Sequence, residues 1–134
     1  MLRTLALPRD VHAPALARRE VAALGLDSGL LADASLLVSE LVTNSVLHGA
    51  GTAVRLRLET DDRGGLRCEV LDDGAGFVPT PPAVRRDAGG WGLQLVDRLA
   101  DRWGVADGST HVWFELGGGV RHDPPARPLA ARVG

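Results

Sequence analysis

Three short segments bring together side chains that could do chemistry. In LLADASLLVSELVTNSVLHG, Glu40 and Asn44 are spaced i, i+4, so on a helix they stand one above the other, and His48 continues the line. A carboxylate, an amide and an imidazole at the margin of a core face can line the wall of a cleft. In EVLDDGAGF, Asp72 falls on the inward side of a strand, where a carboxylate must find a hydrogen-bond donor; the exocyclic amine of a purine would serve. Gly74 and Gly76 follow at once and let backbone approach a ligand closely. In AGGWGLQLVDRLAD, Gly89, Gly90 and Gly92 lead into a helix whose first amides are unpaired and whose dipole favours an anion. That is a phosphate cradle built without lysine. Taken singly, each segment also has an ordinary structural explanation: a solvated helix face, a turn, a hinge before a helix.

The elements that must position these residues are legible in the periodicity. Residues 1–8 alternate as a strand that Pro8 ends, and PALARREVAAL reads as a helix from Pro14 to Leu24, with Leu16, Val21 and Leu24 inward and Gly25 as its stop. Asp27 and Ser28 can cap a longer helix running to His48. At ~100° per residue Leu31, Ala34, Val38, Leu41, Val42 and Val46 form its core stripe, with Glu40 and Asn44 on the flank. TAVRLRLET alternates with Val54, Leu56 and Leu58 on one face, DDRGG turns the chain, and LRCEVLD returns with Leu66, Cys68 and Val70 inward. A Pro-rich loop over 77–89 precedes a third helix, WGLQLVDRLADRW, and two short strands follow at 103–106 and 111–116. In the last strand Trp113 faces outward with His111 and Glu115. The pattern predicts an α+β fold, a mainly antiparallel sheet covered on one face by helices. One domain over 1–117 is expected, with 118–134 as a disordered tail.

Composition removes several classes of function. The chain has 134 residues and a formal net charge of −2, so no basic field exists to hold a nucleic-acid backbone. All 15 basic residues are Arg. Without Lys there is no Walker-type phosphate loop, no conventional protein-kinase strand Lys and no Schiff-base chemistry. Cys68 is the one cysteine, which excludes an internal disulfide and a thiolate metal cluster. His12, His48, His111 and His122 show no metal-ligand spacing. No apolar run reads as a membrane span and no signal peptide opens the chain, so a cytoplasmic location is expected.

Together, in this order and at these separations, the three segments resemble the nucleotide-binding boxes of the GHKL ATPases, the superfamily of gyrase, MutL and the histidine kinases. ELVTNSVLHG is similar to the N box, LDDGAGF to the first glycine box and GGWGL to the second. The most specific likeness is to the bacterial anti-sigma-factor serine/threonine kinases and their stand-alone relatives. It runs from Arg3 to Leu116 through RTLALP, SELVTN, LVDRLADRWG and VWFEL.

The resemblance implies a two-layer α/β sandwich, the Bergerat ATP-binding fold, with ATP and Mg²⁺ as cofactors. It implies Asn44 as the Mg²⁺ ligand through its amide oxygen, and Glu40 as the general base toward a partner's serine hydroxyl or a water. Asp72 would accept the adenine amino group beside Gly74 and Gly76. Gly90 and Gly92, followed by Leu93, would present backbone amides to the phosphates, with His48 bordering the site. Implied partners are a sigma factor and a STAS-type anti-sigma antagonist, with a homodimer also expected. Trp91 stands where relatives often carry a small, polar or basic residue, and His111 where they carry a late Thr; Thr110, one place off, could substitute only in a shifted register. These departures leave a second reading, a nucleotide-binding interaction module with little or no kinase activity. A two-component histidine kinase would need a dimerisation helix with its phospho-accepting His upstream, and only 11 residues precede His12.

Overall fold

The computed structural model of the protein describes residues 1–73, 91–105 and 111–117, without the side chains of 91–93. Its elements run β1 (Leu2–Pro8), α1 (Ala13–Ala22), α2 (Ser28–His48), β2 (Ala53–Thr60), β3 (Leu66–Leu71), α3 (Trp91–Leu99), β4 (Arg102–Val105) and β5 (Val112–Leu116). The five strands form one sheet in the order β1-β2-β3-β5-β4, and all four pairings are antiparallel. Leu56 sits between Leu5 and Val70, and Cys68 between Leu58 and Phe114. The period of two therefore carries Val54, Leu56, Leu58, Leu66, Cys68, Val70, Val112, Phe114 and Leu116 to the side the helices cover, where all are buried. Burial pushes the Cys68 thiol far above its ordinary value, as does neighbouring Glu69, so it stays protonated.

The α2 helix starts where the sequence indicates. Asp27 is its N-cap and takes the Leu30 amide on Oδ1 at 2.9 Å, a contact worth about 1 kcal/mol. Ala34, Leu37, Val38, Leu41 and Val42 are buried along it, with Leu31 and Val46 partly buried at the edges. By length and composition alone this 21-residue helix could cross a membrane, contrary to the sequence expectation. Its apolar stripe instead meets α1, α3 and three strands of the sheet, which makes it the central core helix. In α1 the buried line is Ala13, Ala17 and Val21 at i, i+4, i+8, with Leu16 and Leu24 only flanking it. Small side chains let α1 lie close to α2.

The third helix is shorter than its sequence suggests. It ends at Leu99, and the Asp101 amide already bonds the Glu115 carbonyl at 2.9 Å, joining the sheet. Trp103 belongs to β4 opposite Phe114 and is 1% exposed, so the burial of one indole in the sheet core overrides the helical period. Its Nε1 donates to Asp97 Oδ1 at 3.0 Å, tying α3 to β4. The expected tail, 118–134, lies outside the described residues.

The other face of the sheet carries polar side chains that form ion pairs with one another. Arg67 donates to Glu69 at 3.0 Å and to Glu115 at 2.8 Å, and Arg102 reaches Glu115 at 3.3 Å. Trp113 does face outward, but the Arg67 guanidinium stacks over its ring at 4.2 Å from the centroid and half-buries it.

Candidate functional site

The flank that Glu40 and Asn44 occupy follows from the neighbours of α2. Arg18 of α1 donates to Ser39 Oγ at 2.8 Å, which fixes the α1 side of the helix. At ~100° per residue, Glu40 and Asn44 fall across the core stripe from Ser39, on the side left for α3. Both are half-buried, and no other described residue engages their side chains. His48 closes the helix and is exposed. Gly92 is the second residue of α3, so its amide belongs to the first turn, which has no partner within the helix; Leu93 follows in that same turn.

Asp72 stands immediately beyond β3 and faces α2, as its inward register requires. Its carboxylate takes the Ser45 hydroxyl on Oδ2 and, more weakly, the Ala50 amide on Oδ1 at 3.4 Å. The Asp73 amide donates to the Ala50 carbonyl at 3.1 Å, so the end of β3 and the turn after α2 are sewn together by backbone and side chain. That approach needs a glycine. A Cβ on Gly49 would overlap Asp72 Oδ2 and stand 2.6 Å from the Ser45 carbonyl oxygen, although its φ of −84° suits any residue. Gly51 is needed on both counts, with φ +89° and a Cβ that would come 2.8 Å from that of Asp73.

A third strand of chain secures the same corner. Arg9, just after β1, donates Nε to the Gly51 carbonyl at 2.7 Å and Nη1 to the carbonyls of Val46 at 2.7 Å and Ser45 at 3.2 Å. The last carbonyls of a helix have no partner within it and carry the negative end of its dipole, so a guanidinium there is doubly favourable.

Ser45, Gly49 and Arg9 were not singled out in the sequence. Ser45 was visible in principle: it lies one turn beyond Leu41 on the apolar stripe, and a hydroxyl on a core face must have a partner. Arg9 gave no such signal, since only the tertiary fold brings it to α2. Gly74, Gly76, Gly90 and Thr110 lie outside the described residues.

His111 does not take the place of the late Thr. Its Nε2 lies 2.9 Å from Glu69 Oε1 on the polar face of the sheet, away from the helices. Burial alone would raise the Glu69 carboxyl, but the hydrogen bond and charge of Arg67, with His111 beside them, hold it below its ordinary value. Among the described residues, no three His, Cys, Asp or Glu side chains cluster as a metal site.

Comparison with known proteins agrees with this architecture. The solved structure of the RsbU and RsbW domains of Rv1364c from Mycobacterium tuberculosis superposes with a TM-score of 0.62 at 22% identity, covering 95% of this chain and 34% of that one. At such identity the likeness is one of fold, and the chain spans about a third of that neighbour's length. A search of curated proteins returns no match. The family model for the histidine kinase-like ATPase domain matches residues 5–116. The core helix, the Asp72 corner, β2 to β5 and the second half of β1 fall within that match, and the chain belongs to the histidine kinase-like ATPase domain family.

Proposed function

We propose that the protein binds ATP with Mg²⁺ and acts as a serine/threonine kinase of the anti-sigma-factor type. It would hold a sigma factor and phosphorylate a STAS-type antagonist, in the cytoplasm and without touching nucleic acid. The observation that carries this reading is the corner itself. Asp72 is oriented at the end of β3 by α2, the helix whose flank presents Glu40 and Asn44. The RsbW-domain neighbour supports the regulatory setting at the level of fold.

The residues present fit the nucleotide. Asp72 offers a carboxylate that the Ser45 hydroxyl and the Ala50 amide help to orient and that could accept from an amino group, and the first amides of α3 have no partner within the helix and suit an anion. Asn44 has an amide oxygen for the cation, and a bound Mg²⁺ supplies charge neutralisation at the phosphates. The Glu40 carboxylate would accept the proton of the attacking hydroxyl, and its half-buried position shields that transfer from bulk water. The remaining work is positioning, as phosphoryl transfer generally requires.

The second reading, a nucleotide-gated interaction module, draws on His111, which is engaged with Glu69 on the opposite face instead of at the site. Glu40→Ala separates the two. Under the kinase reading, phosphate transfer to an antagonist falls by at least about a hundredfold while ATP affinity is retained. Under the module reading, the wild type transfers little or no phosphate and the variant changes nothing.

A further inference from the structure

Ser45 is the only polar residue among those buried along α2, at 7% exposure, and it follows Leu41 and Val42 on the stripe that meets the sheet. A hydroxyl in that position costs free energy unless it is bonded. Its bond is to Asp72 Oδ2. The second described contact to this carboxylate, from the Ala50 amide, is 3.4 Å long and correspondingly weak. Rotation of a carboxylate about its last torsion is soft, so a hydroxyl bonded to one of its oxygens biases its plane.

We propose that Ser45 is a positioning residue for base recognition: its hydroxyl fixes the Asp72 carboxylate in the orientation that receives the amino group of the base. This rests on the reading of Asp72 as the adenine ligand. A serine hydroxyl has one proton, and here it goes to Asp72. What is left at Ser45 Oγ is lone pairs, and an ionised carboxylate also only accepts. Among the described residues, the Ser45 and Asp72 side chains therefore offer acceptors alone, which suits a base presenting an amino group and disfavours one presenting a carbonyl at the same place. The Gly49 close approach and the Arg9 clamp hold the end of α2 against Asp72, so Ser45 cannot drift to another partner.

The test uses the full chain and calorimetry with two probes: ATP, and purine riboside triphosphate, which keeps the phosphates and lacks the amino group. Ser45→Ala is expected to weaken ATP about tenfold, the worth of one well-placed hydrogen bond, and to leave the analogue within about twofold. Ser45→Cys, a weaker donor of similar shape, should fall between and gives the same ratio if the alanine variant fails to fold. Unchanged ATP affinity, or equal losses for both probes, overturns the proposal. Asp72→Asn separates the two levels of argument. If it abolishes ATP binding while Ser45→Ala is neutral, only the positioning role falls. If the wild type does not distinguish ATP from the analogue, the base-ligand reading falls with it.

Discussion

Arg9 Nη1 donates to the Val46 carbonyl oxygen at 2.7 Å, so the chain leaving β1 closes the C-terminus of the helix that carries Glu40 and Asn44. The same guanidinium reaches Ser45 and Gly51. Arg9→Ala strips three carbonyls of a charged donor and should cost about 1–3 kcal/mol, read as a lower urea midpoint with an unchanged slope. An unaltered midpoint would show that solvent replaces the arginine at no cost.

Gly49→Ala tests the close approach at Asp72. The added methyl has no room between Asp72 Oδ2 and the Ser45 carbonyl, so helix end and strand end must part. A loss of about 1–3 kcal/mol is expected, with nucleotide affinity falling at the same time. Gly25→Ala is the companion: nothing stands within 4 Å of its Cβ, and only the φ of +76° resists substitution. That change should cost about 1 kcal/mol and leave affinity intact.

Trp103→Phe removes the indole donor that Asp97 receives at 3.0 Å and leaves a void beside Phe114. Roughly 2 kcal/mol should be lost. Amide exchange should speed up in α3 more than in β1, because the contact joins α3 to β4.

Glu69 predicts a pH dependence whose sign follows from its lowered carboxyl. A group depressed in the folded state lends stability above its unfolded value and loses it as pH falls through the folded one. The wild type should therefore lose stability progressively below the ordinary value of 4.5, the value from which Glu69 is lowered. Glu69→Gln should be less stable at pH 7, with the gap closing under acid. A constant gap in urea midpoints from pH 7 to pH 3 would exclude this.

Much of the fold was legible because periodicity and burial agree. Arg55, Arg57 and Glu59 alternate with three buried aliphatic residues in β2, and Asp27 caps α2 as the sequence indicates. Two features failed for physical reasons. Trp103 reads from the sequence both as the last residue of the third helix and as the first of the next strand; pairing with Phe114 takes it into the sheet, and the helix stops at Leu99. The Leu37 position was left off the α2 stripe because six other residues already filled one face; the helix buries a wider arc, against α1, α3 and the sheet together. At the candidate site, the placement of Glu40 and Asn44 on the flank of α2 and of Asp72 on the inward side of its strand could be read from type and spacing. Ser45 was hidden as an ordinary small residue, and Arg9 is brought to α2 only by pairing of β1 with β2, which seats the Arg9 amide on the Thr52 carbonyl at 3.0 Å.

The contact of Gly49 with Asp72 also governs how this corner can change over generations or in a laboratory library. A residue that touches a ligand is usually free to vary when the ligand varies. Under the proposed function Asp72 receives the base, and the same carboxylate is also packing material, wedged against a glycine and a helix end. Randomising position 72 alone would select first for what Gly49 and Ser45 tolerate, and only afterwards for a new base. Under that proposal, retuning base specificity is a three-position problem, with 45, 49 and 72 drawn together.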